Sequence, residues 1–304
     1  MTPPKLRKWQ HRTLVANVIA QAGIVLTGAT VRLTASGLGC PTWPECVEGS
    51  ITPTSDQTEA FHKYIEFGNR LLTFVLLIVA IASLFAIYKH NRERMLSGHN
   101  KRRSLTVLAL GVLLGILVQA VLGGITVLTG LHPLIVAAHF MVSIGLITIA
   151  VILLVKAQEA NDRPVALQVA RPIHIGMRIH IWLALLVIGI GTLVTGSGPH
   201  AGDTNDVVRL GFEFKNITTI HAATVWLFLG LTVGLLISLL ATAAPKPVIK
   251  QAWIVLGICF AQGIVGYTQF FTGLPWGLVA AHVLGATLLW IFTVKFYLTR
   301  NTRG

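Results

Sequence analysis

Eight stretches of this chain, roughly 13–34, 65–88, 104–128, 133–155, 179–196, 217–240, 250–272 and 276–298, are apolar over the length that crosses a bilayer. Nothing else narrows the possible folds so far. Backbone amides in lipid must be bonded within their own segment, and continuous apolar runs of about 20 residues achieve that as helices rather than as a barrel. Composition agrees: 12% of the 304 residues are charged, against about 25% in soluble domains. The expected fold is therefore an all-α integral membrane protein with eight transmembrane helices in the lipid bilayer. The first run is long enough to span and no small-residue cleavage site closes it, so no cleavable signal peptide is expected. A net charge of +13 elsewhere suggests nucleic acid. Here the Lys and Arg sit in short loops between apolar runs, where they set topology instead. All of the 24 except Arg32, Lys63, Arg70, Arg209 and Lys215 fall on one side, which places both termini in the cytoplasm.

One stretch occurs twice. QAVLGGITVLTGLHPLIVAAH (119–139) and QGIVGYTQFFTGLPWGLVAAH (262–282) agree without a gap at Gln119/Gln262, Gly123/Gly266, the Thr-Gly-Leu triplet and the closing Val-Ala-Ala-His. Apolar low complexity matches Val and Ala by chance, but not Gln, Thr-Gly and His in one register. Segments three and four are thus repeated as seven and eight. A four-helix unit returns the chain to its starting side, so the halves are parallel repeats forming two pseudo-symmetric four-helix bundles. The expected division is 1–156 for the amino-terminal half, 157–178 for a linker containing Asn161-Asp162-Arg163-Pro164, and 179–304 for the carboxyl-terminal half. Thr27-Gly28 and Thr195-Gly196 align segments one and five and read, like Thr129-Gly130 and Thr272-Gly273, as helix stops with a left-handed glycine cap. Segments two and six align through Ile65 and Ile217, which sets Asn69 opposite His221.

Histidine at membrane depth is expensive and marks a site by default. The second half offers a pair, His221 and His282, at similar depth on adjacent helices. The first half offers Asn69 and His139. A lone membrane histidine is commonly just bonded to a neighbouring helix, but a matched pair facing across a bundle is how such folds hold a cofactor. Neutral imidazole ligates heme iron, whereas zinc would want further Cys, Asp or Glu ligands that the second half does not supply. Glu66 precedes Asn69 by one turn on the same face, where a carboxylate could take or deliver protons. Arg70 could pair with it, with an anionic group of a ligand, or with lipid headgroups. His62, His132 and His200 read as solvated at the interface, and His11, His90, His99 and His174 as loop residues. Cys40 and Cys46 lie in the long outer segment 35–64, where a disulfide can persist as a structural clip or as a redox pair.

Taken together, GATVRLTASGLGCPTWPEC (28–46), EFGNR (66–70), both VAAH runs and His221 resemble the heme A synthase family, across nearly the whole chain. The resemblance implies oxidation of the C8 methyl group of heme O to the formyl group of heme A, for cytochrome oxidase, in the cell (plasma) membrane. It implies a bis-His heme b on His221 and His282, and substrate heme O in the first half beside Glu66 and Arg70, on His139. It also implies a role for Cys40 and Cys46 in electron or heme handling. Expected partners are heme O synthase, a membrane electron donor and a further copy of the chain. Members with His at the place of Asn69 would ligate that heme twice; Asn69 leaves His139 alone, or His62 as the second ligand. The rival expectation is a b-type cytochrome that carries electrons across the membrane without modifying heme, which requires a second His pair near the cytoplasmic face.

Overall fold

The structure is a computed structural model that describes residues 3–159, 166–203 and 207–302. Eight helices carry it: α1 Lys8–Leu33, α2 His62–Leu96, α3 Arg103–Leu128, α4 Pro133–Gln158, α5 Arg171–Ser197, α6 Phe214–Ala241, α7 Lys246–Phe271 and α8 Trp276–Thr299. All eight are long and apolar enough to cross a membrane. Their outward faces are apolar too, with Phe74, Ile78, Val107 and Ile264 each exposed. Such faces are unfavourable in water and at home in lipid. This is a multi-pass membrane protein.

Helices α1 to α4 pack as a closed ring in chain order, and α5 to α8 form a second one. The rings meet where α8 packs on α1 and α4, and where α4 touches α5. Among the ties across that seam, Trp290 Nε1 donates to Thr148 Oγ1 at 2.8 Å, and Arg32 donates through Nη2 to the Thr195 carbonyl at 2.8 Å and through Nε to the His200 carbonyl at 2.7 Å. Two short strands, β1 Ala166–Leu167 and β2 Asn301–Thr302, pair antiparallel and fasten the linker to the end of α8. The linker residues Asn161-Asp162-Arg163-Pro164 lie outside the described residues.

The repeated Thr-Gly-Leu is a turn. Gly130 and Leu131 both take left-handed φ, 60° and 58°, and Gly273 and Leu274 do the same at 77° and 60°. Each pair stops one helix and aims the chain into the next, where proline enters at Pro133 and Pro275. The other two Thr-Gly pairs behave differently. Thr27-Gly28 lies well inside α1 and Thr195-Gly196 inside the last turn of α5, so neither is a left-handed cap. Buried positions recur at a constant spacing through Leu14/Met177, Val25/Ile188 and Gly28/Gly191. Gly28 therefore answers to Gly191, not to Gly196.

The helices also outrun the apolar stretches. α2 continues to Leu96 and α5 starts at Arg171, because charged turns extend past the bilayer without breaking the helix. Three histidines expected in loops are consequently helical: His11, His90 and His174. His90 is 1% exposed. Only His99 is in a loop, bonded to the Ser97 carbonyl at 2.9 Å.

Candidate functional site

A glycine on each odd-numbered helix makes room for one polar residue on the even-numbered helix that follows. A Cβ on Gly191 would lie 3.3 Å from His221 Cε1, one on Gly266 3.3 Å from His282 Cε1, and one on Gly123 3.5 Å from His139 Cε1. The fourth seat is Gly28, 4.0 Å from Asn69 Nδ2. A Cβ at Gly191 or Gly266 would crowd the opposing ring, whereas at Gly123 and Gly28 it would make ordinary contact. Gly123 and Gly266 belong to the repeat, four residues after Gln119 and Gln262 on the same face. That spacing was the available signal for Gly123 and Gly266, and sequence reasoning drew no seat from it; Gly28 and Gly191 carry no such mark. Gln119 is the other omission: its Nε2 donates to the His139 carbonyl at 3.0 Å and to Ser143 Oγ. Gln262, its repeat mate, fits against Gly285, which has no room for a Cβ.

In the second half the expected pair is brought together. The rings of His221 and His282 stand 6.4 Å apart between centroids, at 75° to one another. Nδ1 of each is buried without a hydrogen-bond partner among the described residues, and the Val187 carbonyl lies near the His221 ring. With Nδ1 turned to the helix behind, Nε2 is the nitrogen presented to the interior. A separation of 6.4 Å between centroids leaves room for one metal ion between the rings, given metal–imidazole bonds of about 2 Å. The donor set, its spacing and the apolar lining fit a bis-imidazole heme.

The first half differs. Nδ1 of His139 is buried and unpartnered, as in the other two histidines. Asn69 is tied to α1, its Oδ1 accepting from Thr27 Oγ1 at 2.8 Å. His62, two turns further out, is not free in solvent: Nδ1 bonds Ser36 Oγ at 2.8 Å and the ring stacks on Phe61. Nor is His200, whose Nε2 bonds the Leu274 carbonyl at 2.9 Å.

Over the first half lies a roof. Cys40 and Cys46 are joined as a disulfide, and the loop they close is clamped by Glu66 and Arg70. Glu66, 5% exposed, accepts from the Cys40 amide through Oε2 at 2.6 Å. Its Oε1 accepts from Arg70 Nη2 at 2.6 Å and Nε at 3.1 Å. Arg70 spends its other donors on the loop carbonyls of Cys40, Thr42 and Glu45 at 2.7 to 3.0 Å. Of the three partners open to Arg70 from sequence, the structure thus places Glu66 beside it. Trp43 drops from this loop onto α3, where a Cβ on Gly124 would sit 2.3 Å from its Cδ2. Gly124→Ala is therefore expected to lift the roof at a cost of about 1–3 kcal/mol, the usual penalty for overpacking. A lower thermal midpoint with faster proteolysis in 40–60 would show it, and Gly123→Ala, one residue away, should leave the roof alone.

A family described as cytochrome oxidase assembly protein (COX15-CtaA) matches residues 11–294. The chain belongs to this family. Its match runs from His11 in α1 to Val294 in α8, so both halves, the roof and all four glycine seats lie inside the COX15-CtaA region. Among curated relatives, a protein named heme A synthase from Geobacillus thermodenitrificans is 31% identical over 142 residues, 46% of this chain and 40% of the relative. A heme A synthase from Geobacillus kaustophilus is 30% identical over 144 residues, covering 45% and 40%. One from Listeria welshimeri is 31% identical over 142 residues, covering 46% and 42%. The alignments span about two-fifths of the length of these relatives.

Proposed function

We propose that this member of the COX15-CtaA family is a heme A synthase, an oxidoreductase that converts the C8 methyl group of heme O to a formyl group by two hydroxylations and loss of water. The observation that carries the reading is the ring pair of His221 and His282, 6.4 Å apart with each ring seated on a helix glycine. Those two residues would hold heme b, which supplies one-electron transfer. Domain roles follow: the carboxyl-terminal half is the electron-transfer unit and the amino-terminal half binds the substrate. There His139 takes the iron of heme O. Asn69, held by Thr27 Oγ1, leaves the opposite side open for the oxidant. Glu66 manages protons and Arg70 positions it, and the disulfide loop that both of them hold excludes water from above. The protein lies in the cell membrane with both termini cytoplasmic. It receives heme O from the enzyme that makes it, draws electrons from a membrane donor, and associates with a further copy of itself.

The rival, an electron carrier without heme chemistry, needs a second ligand pair near the face that bears the termini. His180 is the residue for it, but its Nε2 bonds Thr232 Oγ1 at 2.9 Å and its ring stacks on Phe228. His90, the other buried histidine at that end, belongs to α2 in the opposite half. Extracting heme from the purified protein, expressed with a source of heme O, tests the proposal. A formyl-bearing heme is the expected product; heme O recovered unchanged under turnover conditions would favour the carrier.

A further inference from the structure

Constant offsets set by Gly28/Gly191, Asn69/His221 and His139/His282 pair the buried positions of the two halves, and one layer of that pairing is unequal. Asn17 on α1 corresponds to His180 on α5, and Gln21 to Ala184. On α2 and α6 the pairs are Leu76/Phe228 and Ala80/Thr232; on α4 and α8 the pair is Leu153/Phe296. In the second half the buried polar ring is fully provided for. His180 bonds Thr232, stacks on Phe228 at 4.4 Å between centroids, and meets Phe296 edge-on at 5.7 Å. Each of those four residues is smaller in the first half: Asn for His, Ala for Thr, Leu for both Phe.

Polarity has not fallen along with volume. Asn17 is 1% exposed, and neither its Nδ2 nor its Oδ1 has a hydrogen-bond partner among the described residues. Gln21, one turn along the same face and 2% exposed, has an unpartnered Nε2. Side chains on a helix lean towards its amino terminus, so the Gln21 amide leans back over Asn17. Buried amides inside a lipid-embedded bundle are costly unless bonded, and a polar space with two to four partners and the volume of a probe sphere holds water.

We propose that Asn17 and Gln21 hold a cluster of internal water molecules beneath the first-half site, in a space that the second half has closed with His180. Gln21 is two turns below Gly28, the seat of Asn69, or about 10 Å along the helix axis. On its other side Leu14, Ile87, Leu105, Ala109 and Leu153, all fully buried, form an apolar layer between the cluster and the face that bears the termini. The water does not depend on the substrate assignment made above.

Synchrotron radiolysis of the full-length protein in nanodiscs, read by mass spectrometry, tests the inference, because hydroxyl radicals born from a trapped water oxidise the side chains beside it. Leu76 and Leu153 are expected to be labelled despite their burial, whereas Leu239, fully buried on α6 in the second half, stays at background. Background labelling at all three would overturn the proposal. Asn17→His with Ala80→Thr transplants the second-half pair. That variant is expected to abolish the labelling while keeping the bound-heme spectrum. Asn17→Leu gives the same reading without adding a ring. Labelling that persists in both variants would overturn the assignment of the water to Asn17 and Gln21. A labelled wild type that makes no formyl heme would sink the proposed activity and leave the water standing.

Discussion

Replacing His282 with alanine is expected to remove heme from the second half: the purified variant should lack the low-spin, bis-imidazole absorption expected of the wild type, and so should His221→Ala. In the proposed site both rings would contribute one nitrogen to a single metal, and neither has a neighbour among the described residues able to substitute. The nearest features are glycines, Gly191 and Gly266, whose missing side chains are what lets the rings stand 6.4 Å apart. With one ring gone, the other offers a single ligand in a half-open apolar groove, and the affinity falls by the whole second coordination bond. His139→Ala should keep the signal, since that ring belongs to the first half. Gly266→Val should give a graded result, because its branches would reach into the His282 ring and tilt it. A bis-imidazole spectrum that survives in His282→Ala would mean that the ligand pair has been misassigned, and the division of roles between the halves would fall with it.

What could be read without the structure depended on whether a residue's signal was local. Eight spans, the even-numbered repeat and the VAAH histidines were visible because lipid imposes long apolar runs and a histidine stands out inside them. The register of α1 against α5 was not. Thr27-Gly28 and Thr195-Gly196 look alike as dipeptides, but the equivalence that matters is a single glycine, Gly28 with Gly191, defined by what stands across the groove. A lone glycine in an apolar run has no statistical weight. The burial of His90 was hidden for a related reason: hydropathy tracks the bilayer, and α2 continues beyond it to Leu96. The roof was half legible. Glu66, Arg70, Cys40 and Cys46 could each be singled out, yet that one carboxylate and one guanidinium hold the whole loop follows only from tertiary contact.

That clamp has a testable weight. Arg70→Ala removes the partner of a carboxylate that is 5% exposed, and at the same time leaves the carbonyls of Cys40 and Thr42 without their donor and that of Glu45 with Thr42 Oγ1 alone. Breaking a buried ion pair from one side costs about 3–5 kcal/mol, because an uncompensated charge is left behind. The cost should fall on the roof first: cleavage by protease within 40–60 speeds up, and the thermal midpoint drops. Arg70→Lys is expected to recover only part of the loss, since an ammonium cannot reproduce a planar fork that reaches Glu66 and three carbonyls together. Glu66→Gln in the Arg70→Ala background should also recover part, by removing the stranded charge while leaving the Cys40 amide an acceptor. If the double variant were instead no better than Arg70→Ala, the penalty would lie in the loop carbonyls rather than in the ion pair. If Arg70→Ala itself matched the wild type in both measurements, the loop would be held by the disulfide and Trp43 alone, and Glu66 would be free to turn towards the substrate site.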